Sequence, residues 1–205
     1  MPKVKLTKGE LKRQRDALRQ YERFLPTLQL KKQQLQLEIL NVTRAADKKK
    51  AARETHLSEA AEWGGLLTDK EVDLRAWISP HEIKRSFRNI AGLDIPVFEG
   101  VKFKNTDYDL FETPLWADRA TEKLRALVLL GKEIETMEEA IDKLRRELRI
   151  TAQRVNLFEK IKIPEAREAI RLIKIYIGDQ LANAVNRSKI AKRKIEAYVA
   201  EEEAA

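Results

Sequence analysis

The chain has 205 residues, of which 36% are charged and 6% aromatic, with only seven glycines and six prolines. This composition is too charged and too poor in turn residues for a compact β-sandwich or an α/β fold, and it is typical of long helices. A hydrophobic content of 43% argues against a disordered chain. The absence of cysteine excludes disulfides and thiolate metal sites.

The net charge of +8 comes mainly from the first segment. Residues 1–56 carry 15 Lys and Arg against 6 Asp and Glu, whereas residues 57–116 carry 7 against 11 and residues 117–205 carry 19 against 16. A basic helix of this kind suits nucleic acid, an acidic membrane surface or an acidic protein cavity. No apolar run approaches 18 residues and the N-terminus lacks the apolar core of a signal peptide, so we expect a soluble, cytoplasmic protein.

Residues 7–56 have the pattern of one long helix. Thr7 followed by Glu10 is a capping-box signal for its start, and Pro26 is expected to bend it or to break a hydrogen bond. The heptad a positions are Leu11, Leu18, Leu25, Lys32, Ile39 and Ala46, and the d positions are Gln14, Tyr21, Leu28, Leu35, Val42 and Lys49. Leu30 and Leu37 form a second apolar stripe, which fits either a third helix of the same chain or another subunit.

The middle of the chain loses the heptad pattern. Breakers stand at 63–65 and 79–80, and residues 69–78 between them fit either a short helix or an extended segment. Residues 83–103 give two β-rich runs around Ala91 and Gly92, which predicts a hairpin. Pro96 must then occupy an edge position of the second strand.

A second heptad segment occupies the C-terminal part of the chain. Its a positions are Leu127, Ile134, Ile141, Leu148 and Val155, and its d positions are Leu130, Met137, Leu144, Thr151 and Phe158. A period of 3.5 residues kept up this long predicts a supercoiled helix. Pro164 interrupts the pattern, and a seven-residue spacing then continues from Ile163.

Two heptad segments that flank a breaker-rich middle predict a mainly α fold. We expect a long antiparallel two-helix, left-handed coiled coil with a small inserted β-hairpin head. The predicted division is an N-terminal helix at 1–58, the head at 59–116 and a C-terminal helix at 117–205, the two helices forming one discontinuous domain. A parallel homodimer is the main alternative, which the breaker-rich middle disfavours.

The sequence contains no recognisable catalytic motif. No phosphate-binding or dinucleotide-binding glycine loop occurs, and no Ser or Thr has a partner that would activate it. His56 and His81 stand 25 residues apart without a cluster of metal-ligand residues around either, so we interpret both as surface or turn residues. We therefore expect no active site, no metal, no cofactor and no small-molecule substrate.

The segment from Thr151 to Ile170 resembles the D subunit of the vacuolar/archaeal-type rotary ATPases, whose C-terminal helix carries T-x-x-R-V-N-A-L-E followed by I-P. The matching residues are Thr151, Arg154, Val155, Asn156, Glu159, Ile163 and Pro164, whereas Leu157 and Phe158 replace Ala-Leu. Three further stretches are similar to the family, at Leu28, Leu30, Lys31, Lys32 and Leu35, at Asn89, Gly92 and Pro96, and at Lys189 and Lys192. Departures occur at Gln29, Gln33 and residues 180–183.

The resemblance spans nearly the whole chain and implies a non-catalytic central rotor shaft. Its partners would be the ring of catalytic A and regulatory B subunits, the small F subunit of the rotor, and the central-stalk C/d subunit that couples to the membrane ring. The protein would then be peripheral on the cytoplasmic face of the membrane. The partner-contact candidates are Leu30, Lys31, Lys32, Leu37, Asn89, Gly92, Pro96, Arg154, Asn156, Pro164, Lys189 and Lys192.

Two other functions compete with the rotor shaft. A basic coiled-coil protein that binds nucleic acid is disfavoured because aromatic residues do not interleave with the basic run and no known binding motif occurs. A scaffold protein would instead form stable homodimers.

Overall fold

A computed structural model describes residues 5–65, 74–104, 113–114 and 116–203, with side chains at all of these except Trp63 and 200–203. The elements are α1 (Lys8–Trp63), α2 (Leu74–Ile78), β1 (Pro80–Ile90), β2 (Leu93–Phe103), α3 (Trp116–Leu157), a π-helical turn (Phe158–Lys162) and α4 (Ile163–Glu203). They divide into two compact units, Leu30–Ala152 and Met1–Gln29 with Gln153–Ala205. No described helix is long and apolar enough to cross a membrane.

In the unit Leu30–Ala152, α1 and α3 run antiparallel. Ion pairs join Lys31 to Glu147 at 2.7 Å, Lys49 to Glu133 at 2.9 Å and Lys123 to Glu59 at 3.2 Å. The residue numbers rise along α1 as they fall along α3, which an antiparallel pair requires. The chain therefore supplies both helices of the pair, and the predicted mainly α coiled coil with a small hairpin is confirmed.

The seam of this unit follows the predicted heptads. Leu35 and Leu144 are fully buried, Ala140 and Ile95 are each 2% exposed, and these four residues form one apolar cluster. Ile134 and Ile141 are buried on the same face of α3. Since Ile95 belongs to β2, the hairpin contributes to the core of the coiled coil and is not merely appended to it.

The hairpin forms where the sequence predicts it. β1 and β2 pair antiparallel, from Ile90 opposite Leu93 at the turn to Pro80 opposite Phe103. Ala91 and Gly92 form the turn with φ of 51° and 80°, the left-handed conformation that a two-residue hairpin needs at both central positions. In this two-stranded sheet both strands are edges, so Pro96 meets its predicted requirement.

Residues at the borders of the middle segment differ in detail from the sequence prediction. Helix α1 runs to Trp63, past the predicted limit at residue 58, and α3 begins at Trp116. Of the segment 69–78, whose conformation the sequence left open, residues 74–78 form α2, and residues 69–73 lie outside the described part.

In the unit Met1–Gln29 with Gln153–Ala205, α1 begins at its predicted cap. The Glu10 backbone N–H donates to the Thr7 hydroxyl oxygen at 3.2 Å, as an N-cap residue requires. The start of α1 packs against the π-helical turn and α4, where the Tyr21 and Phe158 ring centroids are 5.2 Å apart and Arg167 donates to Glu22 at 2.8 Å.

The π-helical turn keeps the apolar seam of this unit in phase. The seam reaches Val155, and its next buried a residue is Ile163, eight positions later instead of seven. The d series shows the same step, from Phe158 to the buried Ala166. A π turn accommodates one extra residue in an α-helix, and here the Ile163 N–H donates to the Phe158 carbonyl, five residues earlier.

Both prolines of the predicted helices are accommodated without ending them. Helix α1 continues through Pro26, although the missing N–H removes one bond of its ladder. Pro164 is the second residue of α4 and directly follows the π-helical turn, so its missing N–H falls where the regular ladder of hydrogen bonds is already interrupted. Beyond Gly178, every described side chain of α4 through Val199 is exposed.

Candidate partner-contact surfaces

One apolar candidate surface lies on α1. The side chains of Leu30 and Leu37 are 56% and 62% exposed, and Leu40, one helical turn further, is 45% exposed. No described helix covers these residues, so the structure gives no support to the contact with a third helix of the same chain. Leucines three and seven residues apart share one face of a helix, which makes this stripe suited to an apolar partner.

The two neighbouring lysines face differently. Lys31 is half-buried, and its ammonium donates to a Glu147 carboxylate oxygen at 2.7 Å. Lys32 is half-buried at its heptad a position, where its aliphatic stem can pack along the seam while the charge reaches water. The structure therefore gives Lys31 a partner within the chain, between α1 and α3.

The turn of the hairpin is held by its own side chains. The Asn89 amide donates to Asp94 at 2.6 Å, and the Gly92 N–H donates to the Asn89 amide oxygen at 3.1 Å. Both side chains are exposed. Pro96 is buried and lies in the wall of a cleft against the coiled coil. Asn89 and Gly92 thus shape the turn, while Pro96 packs beneath it.

Ion pairs join the hairpin to both helices. Arg88 of β1 donates to Glu38 of α1, and Arg85 of β1 donates to Glu139 of α3 at 3.1 Å. At the open end of the hairpin, the Arg125 guanidinium donates to the Trp77 carbonyl at 3.0 Å. The same guanidinium donates to the Lys104 carbonyl at 3.3 Å and lies 5.3 Å from the Phe103 ring centroid.

A cleft of about 470 Å³ lies between β2, α1 and α3. Its walls are mostly apolar, and its two carboxylates already have partners, Glu38 with Arg88 and Glu133 with Lys49. Among the residues that the structure describes, no three His, Cys, Asp or Glu side chains come together as a metal site. The cleft is thus built for packing contacts.

The C-terminal motif and tail lie in the other unit. Arg154, Asn156 and Pro164 are exposed around the π-helical turn. Lys189 and Lys192 are exposed on the end of α4, where Lys192 pairs with Glu196 at 3.6 Å. Residues 178–199 carry five Lys and Arg against two Asp and Glu. The structure thus brings the tail lysines together on a basic helix end that nothing in their own unit covers.

Exposed ion pairs shift the titration of several carboxylates. The hydrogen bond from the Lys123 ammonium, helped by its charge, lowers the pKa of Glu59 below its usual value. Lys102 lowers the pKa of Glu82 in the same way across the hairpin. These carboxylates are solvated, so each pair is worth little to stability.

Sequence reasoning missed the arginines that attach the hairpin. Arg125 falls at an f position of the α3 heptads, where an outward-facing charged residue is ordinary. Arg85 and Arg88 lie on a strand whose alternation the bulge between Lys84 and Arg85 disturbs. No signal in the sequence distinguishes these three residues from other surface arginines.

Comparison with known proteins gives consistent matches over nearly the whole chain. The family model of the ATP synthase D subunit matches residues 10–193. The chain is 42% identical to the V-type ATP synthase D subunit of Borreliella burgdorferi over 192 residues, which cover 94% of this chain and 95% of the relative. It is 32% identical to the protein of that name in Chlamydia caviae over 206 residues, covering 98% of each, and 33% identical to that of Chlamydia pneumoniae over 201 residues, covering 94% and 93%.

Proposed function

Since this chain belongs to the family of ATP synthase D subunits, we propose that it is the non-catalytic central-stalk rotor shaft of a V/A-type rotary ATPase. In this role it transmits torque between the nucleotide-binding ring and the ion-translocating rotor of the membrane. As part of this complex, the chain lies peripherally on the cytoplasmic face of the membrane.

The single observation that carries the mechanical role is that packed apolar residues and ion pairs hold the antiparallel helices α1 and α3 together. A shaft must resist twisting, and two supercoiled helices resist it when their seam is packed and their flanks are tied together. The fully buried Leu35 and Leu144 supply the packed seam. The ion pairs Lys31–Glu147 and Lys49–Glu133 tie the flanks.

The exposed end of α4 is the part that we assign to the ring of catalytic A and regulatory B subunits. Its side chains from Gly178 to Val199 have no cover within their unit. Lysines such as Lys189 and Lys192 dominate its charge and alternate with exposed apolar residues such as Ile190 and Ile195. A rotating surface needs contacts that break and form again, and hydrated ionic contacts do so more readily than a large apolar interface. Acidic loops inside the ring would complement this helix end.

We assign two further surfaces to the other rotor subunits. The apolar stripe of Leu30 and Leu37 is suited to a permanent contact, because burying exposed leucine stabilises an interface that need not reopen. We assign this stripe, together with the exposed hairpin turn at Asn89 and Gly92, to the small F subunit of the rotor. Coupling to the membrane ring passes through the central-stalk C/d subunit.

A rotation experiment on the assembled complex tests the proposal. The chain has no cysteine, so one cysteine introduced at the exposed Glu99 of β2 gives a single attachment site for a bead. With the A and B ring fixed to a surface, ATP is expected to drive continuous rotation of the bead in one direction. A bead on one of the B subunits of the same fixed complex is the control and is expected to stay still. A motionless bead on this chain, in complexes that hydrolyse ATP, would exclude the rotor role.

A further inference from the structure

The π-helical turn and Pro26 raise a question that the shaft role leaves open. A coiled coil is stiff where its hydrogen-bond ladders are complete and its seam is packed. It bends and opens more easily where either the ladder or the packing is interrupted. Both helices of the unit Met1–Gln29 with Gln153–Ala205 have such an interruption. The contacts within that unit place the two interruptions next to each other along the coiled coil.

On α1 the interruption is Pro26. Its nitrogen carries no hydrogen, so the Glu22 carbonyl lacks its usual donor four residues later, and the pyrrolidine ring crowds that carbonyl. Pro26 and its neighbour Thr27 are exposed, and water can hydrate the free carbonyl. Helix α1 continues on both sides, so the defect weakens the ladder without ending the helix.

On the facing side the interruption is the turn Phe158–Lys162 with Pro164. The Ile163 N–H donates five residues back, to Phe158, and Pro164 cannot donate at all. Such a turn widens the helix and replaces the regular ladder. None of its five residues is buried, and the neighbouring buried residues are Val155 and Ile163. The seam therefore lacks a fully buried side chain where the ladder is irregular.

Two contacts show that these defects lie at neighbouring levels of the coiled coil. Tyr21 touches Phe158, the first residue of the π turn, and Glu22 accepts from Arg167, one turn beyond Pro164. Because the two helices run antiparallel, the turn of α1 from Glu22 to Pro26 leads from the level of Phe158 toward lower residue numbers of the facing helix, so the two irregular segments follow one another along the coiled coil.

We propose that residues 20–29 of α1 and 156–166 of the facing helix form a compliant joint. At this joint the coiled coil bends and twists at lower cost than on either side. The extra residue that creates the π turn leaves the apolar seam in phase, so the joint softens the backbone without changing which residues face the partner helix. The inference concerns the isolated chain and does not depend on the proposed function.

Hydrogen exchange of amides in the full chain tests the joint directly. Amides of residues 159–166 are expected to exchange about tenfold or more faster than those of 140–150 and also faster than those of 168–176. The second comparison is needed because Ala169, Ile170 and Ile173 are buried further along α4. A steady change of protection from 140 to 176, without a minimum at 159–166, would overturn the proposal.

A repaired variant provides an independent test. Deleting Lys160 restores a seven-residue step between the seam residues on either side, and Pro164→Ala allows a regular α-helix through them. This variant is expected to slow exchange at 159–166 to the rate of the flanking helix, with unchanged helix content by circular dichroism. Gly178→Ala is the matched control, because it raises helix propensity in the same unit where nothing crowds the added methyl but leaves the joint intact. Equal exchange at 159–166 in the repaired variant and the control would refute the proposal.

Discussion

Replacing Leu30 and Leu37 together with alanine should weaken binding of the small F subunit of the rotor. Burying a whole leucine side chain contributes about 1.5–3 kcal/mol, and 56% and 62% of these two residues remain exposed for a partner to cover. Each leucine should therefore contribute roughly 1–2 kcal/mol to an interface. Because alanine keeps part of that area, the double variant should lose roughly 2–3 kcal/mol, a rise in Kd of roughly 30- to 150-fold.

The assay is calorimetric titration of the purified full chain with the F subunit. Leu57→Ala is the matched control, since Leu57 is a 44% exposed leucine of the same helix away from the stripe, and it should leave the Kd unchanged. The double variant should also unfold in urea at nearly the same midpoint as the parent chain, because truncating exposed side chains costs within about 0.5 kcal/mol. If the double variant binds within about twofold of the parent, the stripe is not the contact surface.

Three further predictions concern the folded chain itself. Leu144→Ala should destabilise it by about 2–5 kcal/mol, because Leu144 is fully buried in the cluster shared with the hairpin; a urea-unfolding loss below about 1 kcal/mol would contradict that core. Arg125→Ala should speed amide exchange at the end of β2 by about fivefold or more, since it removes two hydrogen bonds and a ring contact, whereas Arg119→Ala, at an exposed position of α3, should not. Lys123 lowers the pKa of Glu59 in the folded chain. The pair therefore stabilises the folded state at pH values above the ordinary carboxyl pKa, and this contribution disappears as the pH falls through the lowered pKa. Carboxyl titration followed by NMR should give Glu59 a lower pKa in the parent chain than in Lys123→Ala.

The heptads and the hairpin could be read from the sequence because their signals are local. Leu144 and Ile141 recur at intervals that only a supercoiled helix buries together, and the structure buries both. The pair Ala91-Gly92 likewise forms the predicted turn, with both residues at positive φ. The Thr7 cap was also recognisable, because capping depends on residues within one turn of each other.

The contact candidates were predictable only in part. Exposure of Leu30 and Leu37 follows from their heptad position opposite the seam, but the bond that engages Lys31 with Glu147 joins residues 116 positions apart. The structure also gives Asn89 a role in its own turn, which a shared family motif does not distinguish from a partner contact.

By itself, the sequence determined the helical periods, the hairpin turn, the first helix cap and the family, since each depends on residues close together or on a motif. Tertiary structure decided that the hairpin lies within the core of the coiled coil through Ile95, and that Arg85, Arg88 and Arg125 attach it. It also decided how the step from Val155 to Ile163 is accommodated. The sequence does not indicate whether the extra residue rotates the apolar seam away from the facing helix or is accommodated by a π turn. The outcome depends on packing against the facing helix, where Tyr21 contacts Phe158.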